Sequence, residues 1–197
     1  MLGKRAKTLS EAQISAILGY LSTTRHGLRN SVIFLLSLHG LRAKEIANLE
    51  LSMITGSDGE LADHIAIQDK ATKGKSGRVV PMNKKLQASI ASYLPTRLHP
   101  DSKYLITTER SEKFSANAVA VFFKRLYLKL EIQGASSHSG RRTFITQCAR
   151  KITQAGGSIR DVQFLAGHRH LSTTQRYIDQ DPQSQRKLVD LIYNSVR

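Results

Sequence analysis

The spacing of apolar residues changes within one segment of this chain, and that change constrains the fold more than any other feature. Residues 50–81 contain short apolar and β-branched runs separated by glycines, a pattern typical of strands and tight turns. On both sides of the segment, apolar residues recur at intervals of three and four, as in amphipathic helices. The sequence therefore predicts an α+β fold that is mostly α-helical, with a small antiparallel three-stranded sheet after the third helix. The predicted strands cover residues 51–55, 61–68 and 78–80.

Capping residues indicate where the helices begin and end. Ser10 and Gln13 have the spacing of a capping box. The same spacing recurs in two later pairs, Ser158 with Asp161 and Ser172 with Gln175. Gly167 stands where a helix would end in a left-handed turn. We expect helices from Leu9 to the break near Thr23 and at residues 32–38, 43–49, 83–94, 115–130, 139–154, 158–166, 172–178 and 182–196.

The charge balance indicates a polyanionic partner. The 197 residues include 30 Lys and Arg against 15 Asp and Glu, which gives a formal net charge of +15. Nucleic acid and an anionic membrane surface both suit that charge. The longest apolar stretch, around residues 32–36, is too short to span a bilayer, so we expect no membrane insertion. The length suits one domain, and the 40% hydrophobic content excludes a wholly disordered chain.

Cysteine usage and the first residues bear on the compartment. Cys148 is the single cysteine, so an intrachain disulfide framework is excluded. Residues 1–8 are basic and lack periodicity, which predicts a flexible arm and gives no support for a secretory signal. We therefore expect a reducing, cytoplasmic compartment.

Four short segments combine cations, imidazoles and one phenol, the groups that a protein would use on a phosphodiester. They are residues 40–46 (GLRAKEI), residues 72–81 (TKGKSGRVVP), residues 138–144 (HSGRRTF) and residues 165–168 (LAGH), which Tyr177 follows. Guanidinium groups stay protonated and bind two oxygens at once, so Arg42 and Arg141 could hold the non-bridging oxygens of one phosphate. A tyrosine hydroxyl such as that of Tyr177 needs nearby cations or a base to become a nucleophile.

In the order and spacing of these motifs, the sequence resembles the catalytic domain of the tyrosine recombinases, the phage integrase family. The resemblance runs from about Leu9 to the end and implies a catalytic domain at residues 9–181. Lys73 would lie on a mobile β-hairpin, and Glu45 would support the site without taking part in the chemistry. The catalytic residues that the resemblance implies are Arg42, Lys73, His138, Arg141, His168 and the nucleophile Tyr177.

The resemblance also implies an activity. A member of this family is expected to cleave and rejoin double-stranded DNA at specific sites through a 3′-phosphotyrosyl intermediate, without metal, ATP or another cofactor. The expected assembly is a homotetramer on DNA, with accessory DNA-bending proteins as further partners. Cations beside the catalytic motifs are expected to contact the DNA backbone: Lys75, Arg78, Arg142 and Arg169.

Other interpretations of the same residues remain open. The chain could be a DNA-binding module without catalysis, or an enzyme that relaxes DNA like a type IB topoisomerase. In isolation, Arg42 could simply pair with Glu45, and Tyr177 could be a half-buried helix tyrosine. Residues 168–170 (HRH) offer two histidines without a third ligand, so we expect no zinc site. Cys148 is expected to be a small core residue.

The sequence departs from the usual family pattern in three places. Few residues precede Leu9, so the chain is either a catalytic domain from a longer integrase or a naturally short recombinase, similar in length to the fimbrial phase-switch invertases. Gly140 and Ala166 each stand at a position where the family often has leucine, and we expect both differences to have little effect. Residues 182–197 carry an apolar stripe that either docks on a neighbouring protomer or packs on its own domain.

Overall fold

The computed structural model of the chain describes residues 6–71, 77–177 and 189–190. Its two strands, β1 (His64–Ile67) and β2 (Arg78–Pro81), lie between the third and fourth helices. Short 3-10 turns occur at Leu51–Met53, Asp69–Ala71 and Leu94–Thr96. The helices are α1 (Glu11–Ser22), α2 (Gly27–Leu38), α3 (Ala43–Ala47), α4 (Lys84–Tyr93), α5 (Ala116–Lys129), α6 (Ser139–Lys151), α7 (Ile159–Ala166) and α8 (Leu171–Gln175).

The helix-start predictions are confirmed at α1 and α7 and wrong at α8. The Gln13 backbone N–H donates to Ser10 Oγ at 3.2 Å, and the Ser10 N–H donates to Gln13 Oε1 at 3.0 Å. Residues 158–161 form a second capping box in front of α7. In contrast, α8 begins at Leu171, because the backbone is extended only as far as residue 170, which is the N-cap. The serine at position 172 therefore lies inside the helix.

The sheet has two strands where the sequence predicts three. β1 and β2 pair antiparallel, with Ile65 opposite Val80. The first predicted strand, residues 51–55, instead begins with the 3-10 turn Leu51–Met53, and the adjacent residues Met53 and Ile54 are both buried. Successive residues of a strand point to opposite faces, so a one-sided sheet cannot bury both of them. Residues 72–76, with Lys73 and Lys75, lie outside the described residues.

The buried residues form a large core and a small one. The large core lies between α1 to α5 and the two strands, and Phe34 and Phe123 are among its fully buried side chains. The small core consists of Ile145, Val162 and Ala166 from α6 and α7. Tyr177 packs against this small core, as does Cys148, which is partly buried at its edge. The nucleophile candidate is thus held by α6 and α7.

Gly140 allows α6 to approach α2 closely. A Cβ atom at this position would lie 2.3 Å from Ser37 Oγ and 3.1 Å from the Ser37 carbonyl carbon. The expectation that a glycine here matters little is therefore wrong for packing, because a larger side chain fits only if Ser37 or one of the two helices moves. The close approach also brings the next residue, Arg141, to the end of α2, where it donates a hydrogen bond to the Gly40 carbonyl oxygen.

Replacement of Gly140 by Ala is expected to destabilise the protein by about 1–3 kcal/mol, since the added methyl group overpacks the α2–α6 contact. Gly19 is a matched control, because it lies on the exposed face of α1 and a Cβ there meets no atom within 4 Å. Gly19→Ala should raise stability by about 0.5–1 kcal/mol. Urea unfolding of both variants measures the difference, and equal stability of the two would contradict the close approach.

The described end of the N-terminal arm is attached to the domain. The Lys7 backbone N–H donates to the Gly134 carbonyl oxygen at 3.0 Å, and the Leu9 N–H donates to Thr143 Oγ1 at 2.8 Å. Residues 1–5, most of the predicted arm, lie outside the described residues. Of the predicted tail, only residues 189–190 are described, and both are exposed. Within the described ranges, no helix is long and apolar enough to cross a membrane.

Candidate active site

Three arginines from three different elements converge on the carboxyl end of α7. This helix ends at Gly167, which has left-handed backbone angles (φ 59°, ψ 45°), as predicted. The last carbonyl groups of a helix lack intrahelical partners and carry partial negative charge, so they attract cations. The donor and acceptor pairs are Arg78 Nε with the Leu165 oxygen at 2.8 Å, Arg141 Nη2 with the Ala166 oxygen at 2.5 Å and Arg42 Nη2 with the Gly167 oxygen at 3.5 Å.

Glu45 is the acidic centre of this arginine cluster. Its side chain is 1% exposed and accepts two hydrogen bonds from Arg78, at 2.9 and 3.0 Å. It also accepts from Arg42, through the backbone N–H at 2.8 Å and through Nη1 at 2.7 Å. Burial alone would raise the pKa of this carboxyl, but the bonds and charges of Arg78 and Arg42 lower it to about 2. Glu45 is therefore ionised at neutral pH.

Arg141 is the most deeply buried cation of the cluster. Only 5% of the residue is exposed, and its guanidinium donates to the carbonyl oxygens of Gly40 and Ala166. Burial and the positive charges of Arg42 and Arg78 lower the pKa of Arg141 to about 9, so it remains protonated at neutral pH. Three guanidiniums around one carboxylate leave an excess of positive charge, which a bound anion would neutralise.

Arg78 lies inside the domain, whereas the sequence analysis predicts a contact with the DNA backbone. Its side chain is 5% exposed and its donors are taken up by Glu45 and by the Leu165 carbonyl oxygen. Gly167 packs against it so closely that a Cβ there would lie 2.9 Å from Arg78 Cδ. The predicted DNA contact does not fit this burial. Arg78 instead connects β2 to α3 and to the end of α7.

His168 and Tyr177 are stacked next to the arginine cluster. Their ring centroids are 5.7 Å apart, with an angle of 24° between the planes. His168 Nδ1 lies 3.0 Å from Thr174 Oγ1, and the Arg142 guanidinium lies 5.7 Å from the centre of the Tyr177 ring. A negative charge on the Tyr177 oxygen would raise the pKa of Arg141, so the phenol lies within electrostatic reach of this guanidinium. The phenol, one imidazole and the arginines thus share one region.

The charge of the site keeps His168 neutral. Burial and the positive charges of Arg141, Arg42 and Arg78 lower the pKa of this histidine to about 4. In the unfolded chain the reference pKa is 6.5. The unfolded state therefore binds more protons between pH 6.5 and 4, so His168 makes stability fall as the pH falls through this range.

The pKa of His168 should be measurable by NMR titration of histidine ring signals, and we expect a value below 5 in the free protein. Replacing Arg42 by Gln should raise that pKa, because one of the three neighbouring positive charges is lost. In unfolding experiments, His168→Asn should lose less stability than the wild type between pH 6.5 and 4. A His168 pKa that stays at or above 6.5 would contradict this account of the site.

The remaining predicted site residues lie at its margin or outside the described part of the chain. His138 is exposed at the start of α6, one turn before Arg141, so the two share a helix face. Arg169 is exposed and follows His168 directly. Lys73 and Lys75 fall within residues 72–76, which the structure does not describe.

The partners that hold the site residues in place have no clear signal in the sequence. Arg78 appears in a predicted motif, but the motif does not show that it binds Glu45. Thr174 had no signal other than its position three residues before Tyr177, which lies in the turn that follows α8. Within the described ranges, no group of three or more His, Cys, Asp and Glu side chains could hold a metal ion.

Comparison with known proteins identifies the family. The phage integrase family model matches residues 7–184 of the chain, so the protein belongs to the phage integrase family. The predicted mostly helical fold with a small antiparallel sheet is confirmed as that of the tyrosine recombinase catalytic domains. The family found by this comparison is the one that the sequence motifs predict.

Similar proteins include tyrosine recombinases from archaea and bacteria. Tyrosine recombinase XerA of Thermococcus kodakarensis is 32% identical over 174 residues, which cover 87% of this chain and 57% of XerA. Tyrosine recombinase XerD of Rickettsia prowazekii is 32% identical over 187 residues, covering 86% of this chain and 57% of XerD. The chain thus spans just over half the length of these relatives.

Solved structures share the fold. A XerA recombinase crystal structure has a TM-score of 0.72 and 24% identity, covering 97% of this chain and 65% of that one. A XerH site-specific recombinase, bound to a palindromic difH substrate after cleavage, has a TM-score of 0.75 and 19% identity, covering 98% of this chain and 55% of that one. At these identities the likeness concerns the fold alone.

Proposed function

We propose that this chain catalyses site-specific DNA recombination, by cleaving and rejoining DNA strands with Tyr177 as the nucleophile. The observation that carries the proposal is the convergence of Arg42 and Arg141 on the end of α7, beside the stacked rings of His168 and Tyr177. Relatives named tyrosine recombinases, and a fold neighbour bound to its DNA substrate, support the same class of activity.

The two arginines supply positive charge to the phosphate to be cleaved. Arg42 is fixed by Glu45 yet its side chain is 33% exposed, so one side of its guanidinium can reach a DNA phosphate. Arg141 supplies the buried charge behind it. Both charges stabilise the extra negative charge of a five-coordinate transition state. Glu45 orients Arg42 and does not contact DNA.

Tyr177 then exchanges one phosphate ester for another. Its phenolic oxygen bonds to the phosphorus while the bond from phosphorus to the 5′ oxygen breaks, and the phenolic proton passes to solvent. The released 5′ oxygen takes a proton from Lys73, the candidate general acid, and becomes a hydroxyl. The product is a 3′-phosphotyrosyl link that conserves the bond energy. The 5′-hydroxyl of another strand can reverse the step, so ATP is not required. The arginines supply the positive charge that divalent metal ions supply in two-metal nucleases, so the proposed reaction needs no metal ion.

The DNA and the other partners are inferred from charge and family. The net charge of +15 favours double-stranded DNA, with backbone contacts from exposed Arg169 and from Lys75. Arg142 lies over the Tyr177 ring and contributes to holding the nucleophile as well as to backbone binding. The protein acts as a homotetramer on DNA, whose subunits are joined through residues 182–197. DNA-bending proteins are its accessory partners, and its location is cytoplasmic.

The function can be tested by trapping covalent adducts on a library of nicked duplexes of random sequence. Cleavage next to a nick releases a short fragment, so the protein stays attached to DNA in a detergent-resistant adduct. Sequencing of the attached DNA should give one enriched site. Adducts without any enriched sequence, together with relaxation of supercoiled plasmid, would favour a topoisomerase-like activity. DNA binding with no adducts on any duplex would identify a binding module.

A further inference from the structure

Thr174 is a fully buried hydroxyl whose partner among the described residues is His168. The residue is 0% exposed, and its Oγ1 lies 3.0 Å from His168 Nδ1. A neutral imidazole carries its proton on only one of its two nitrogens, so either atom of this pair could be the donor. The choice decides whether the other ring nitrogen, Nε2, donates or accepts a hydrogen bond.

The burial of Thr174 determines which atom donates. If Nδ1–H donated to Oγ1, the hydroxyl proton of Thr174 would need a second acceptor, and the structure gives it none within the described ranges. A buried donor left without an acceptor is costly. If the hydroxyl donates to the lone pair of Nδ1, the contacts of both groups are satisfied. The proton of the imidazole must then be on Nε2.

We propose that Thr174 is a positioning residue that holds His168 in the tautomer protonated on Nε2. The inference rests on the proposed function for its catalytic meaning. In that tautomer, neutral His168 presents an N–H group, which can donate a hydrogen bond to an oxygen of the bound phosphate. It presents no lone pair at Nε2 and therefore does not accept the phenolic proton of Tyr177.

The groups around His168 keep the imidazole ring neutral. A neutral ring carries one proton, so the position of that proton decides which nitrogen can donate. Positive charges face the imidazole from the N-cap of α3 (Arg42), from β2 (Arg78) and from α6 (Arg141), and the Tyr177 ring covers one side. A second proton on Nδ1 would add a fourth positive charge, and it would also displace the hydrogen bond from the Thr174 hydroxyl. Both effects favour the neutral ring.

Nitrogen NMR of the ¹⁵N-histidine-labelled protein tests the tautomer without DNA. In the wild type at pH 7, His168 should show a protonated Nε2 and an unprotonated, hydrogen-bonded Nδ1. In Thr174→Val the hydrogen bond is lost, so the two nitrogen resonances should move towards each other, as in an exchanging imidazole. Thr174→Ser restores the hydroxyl and should restore the wild-type pattern. Thr173→Val, next to it on α8, is the matched control and should change neither resonance.

Adduct formation on the enriched duplex gives the second measurement. Thr174→Val should reduce the cleavage rate at saturating DNA about tenfold. In metal sites, loss of a partner that orients a histidine has an effect of at least about this size. Thr174→Ser should stay near the wild-type rate. A proton on Nδ1 in the wild type, or unchanged resonances in Thr174→Val, would overturn the proposal. If the protein never forms adducts, the proposed function fails while the tautomer assignment is still decided by NMR.

Discussion

Replacement of Tyr177 by Phe should abolish covalent attachment to DNA while leaving the domain folded and able to bind. The phenolic oxygen is the proposed nucleophile, and removal of a nucleophile lowers a rate by at least about a thousandfold. The aromatic ring, which stacks on His168 and lies under Arg142, is retained. We therefore expect stability to change by less than about 0.5 kcal/mol. Gel assays for detergent-resistant adducts and for DNA binding measure the two effects separately.

Tyr20→Phe is the matched control for this variant. Tyr20 lies on α1 and packs against the large core, whereas Tyr177 packs against the small one. The control should form adducts at the wild-type rate. If Tyr177→Phe still formed adducts, another residue would be the nucleophile, and the interpretation of the stacked His168 and Tyr177 rings as the reacting centre would be wrong.

Replacement of Glu45 by Gln should have the largest effect on stability. The substitution removes the carboxylate that lies between Arg42 and Arg78 and leaves three guanidiniums, including Arg141, without a compensating charge. Breaking a buried ion pair from one side costs about 3–5 kcal/mol. Since the pKa of Glu45 is lowered to about 2, its contribution is complete above pH 4.5 and is lost as the pH falls from 4.5 towards 2. Urea unfolding at pH 7 measures the loss.

Glu50→Gln provides the comparison for a glutamate that also binds two cations. Glu50 pairs with Lys70 and Lys103, whose side chains are 55% and 65% exposed. Pairs of this kind contribute about 0–1 kcal/mol, so the control should be nearly as stable as the wild type. Equal losses for Glu45→Gln and Glu50→Gln would show that the arginine cluster does not depend on Glu45.

Short-range features of the fold could be predicted because they depend on neighbouring residues. The capping box of Ser10 and Gln13 and the left-handed turn at Gly167 follow from side chains and backbone within one helical turn. The strand predicted at residues 51–55 failed because its apolar residues suit a buried 3-10 turn equally well. Composition alone does not distinguish a strand from a 3-10 turn here. The burial of both Met53 and Ile54, which are adjacent, becomes visible only when the surrounding core is known.

The partners that hold the site together could not be predicted, because they are distant in the sequence. Arg78 reaches Glu45 across 33 positions and the Leu165 carbonyl across 87. A basic strand residue beside a glycine-rich loop is as typical of a DNA contact as of a buried ion pair, and only the fold separates the two. Gly140 is similar, since its importance depends on Ser37 of another helix. The family motif predicted that Arg42, Arg141, His168 and Tyr177 gather, and their mutual contacts needed the structure.

In the proposed reaction, Arg42, Arg141, His168 and Tyr177 act together on one phosphate of a DNA duplex. Mass spectrometry of the trapped adduct, after digestion of the protein and the DNA, identifies the attached residue and the attached end of the strand. We predict a nucleotide joined through its 3′ phosphate to the Tyr177 oxygen, with a free 5′-hydroxyl on the released fragment. Attachment to any other residue, or through a 5′ phosphate, would contradict this proposal.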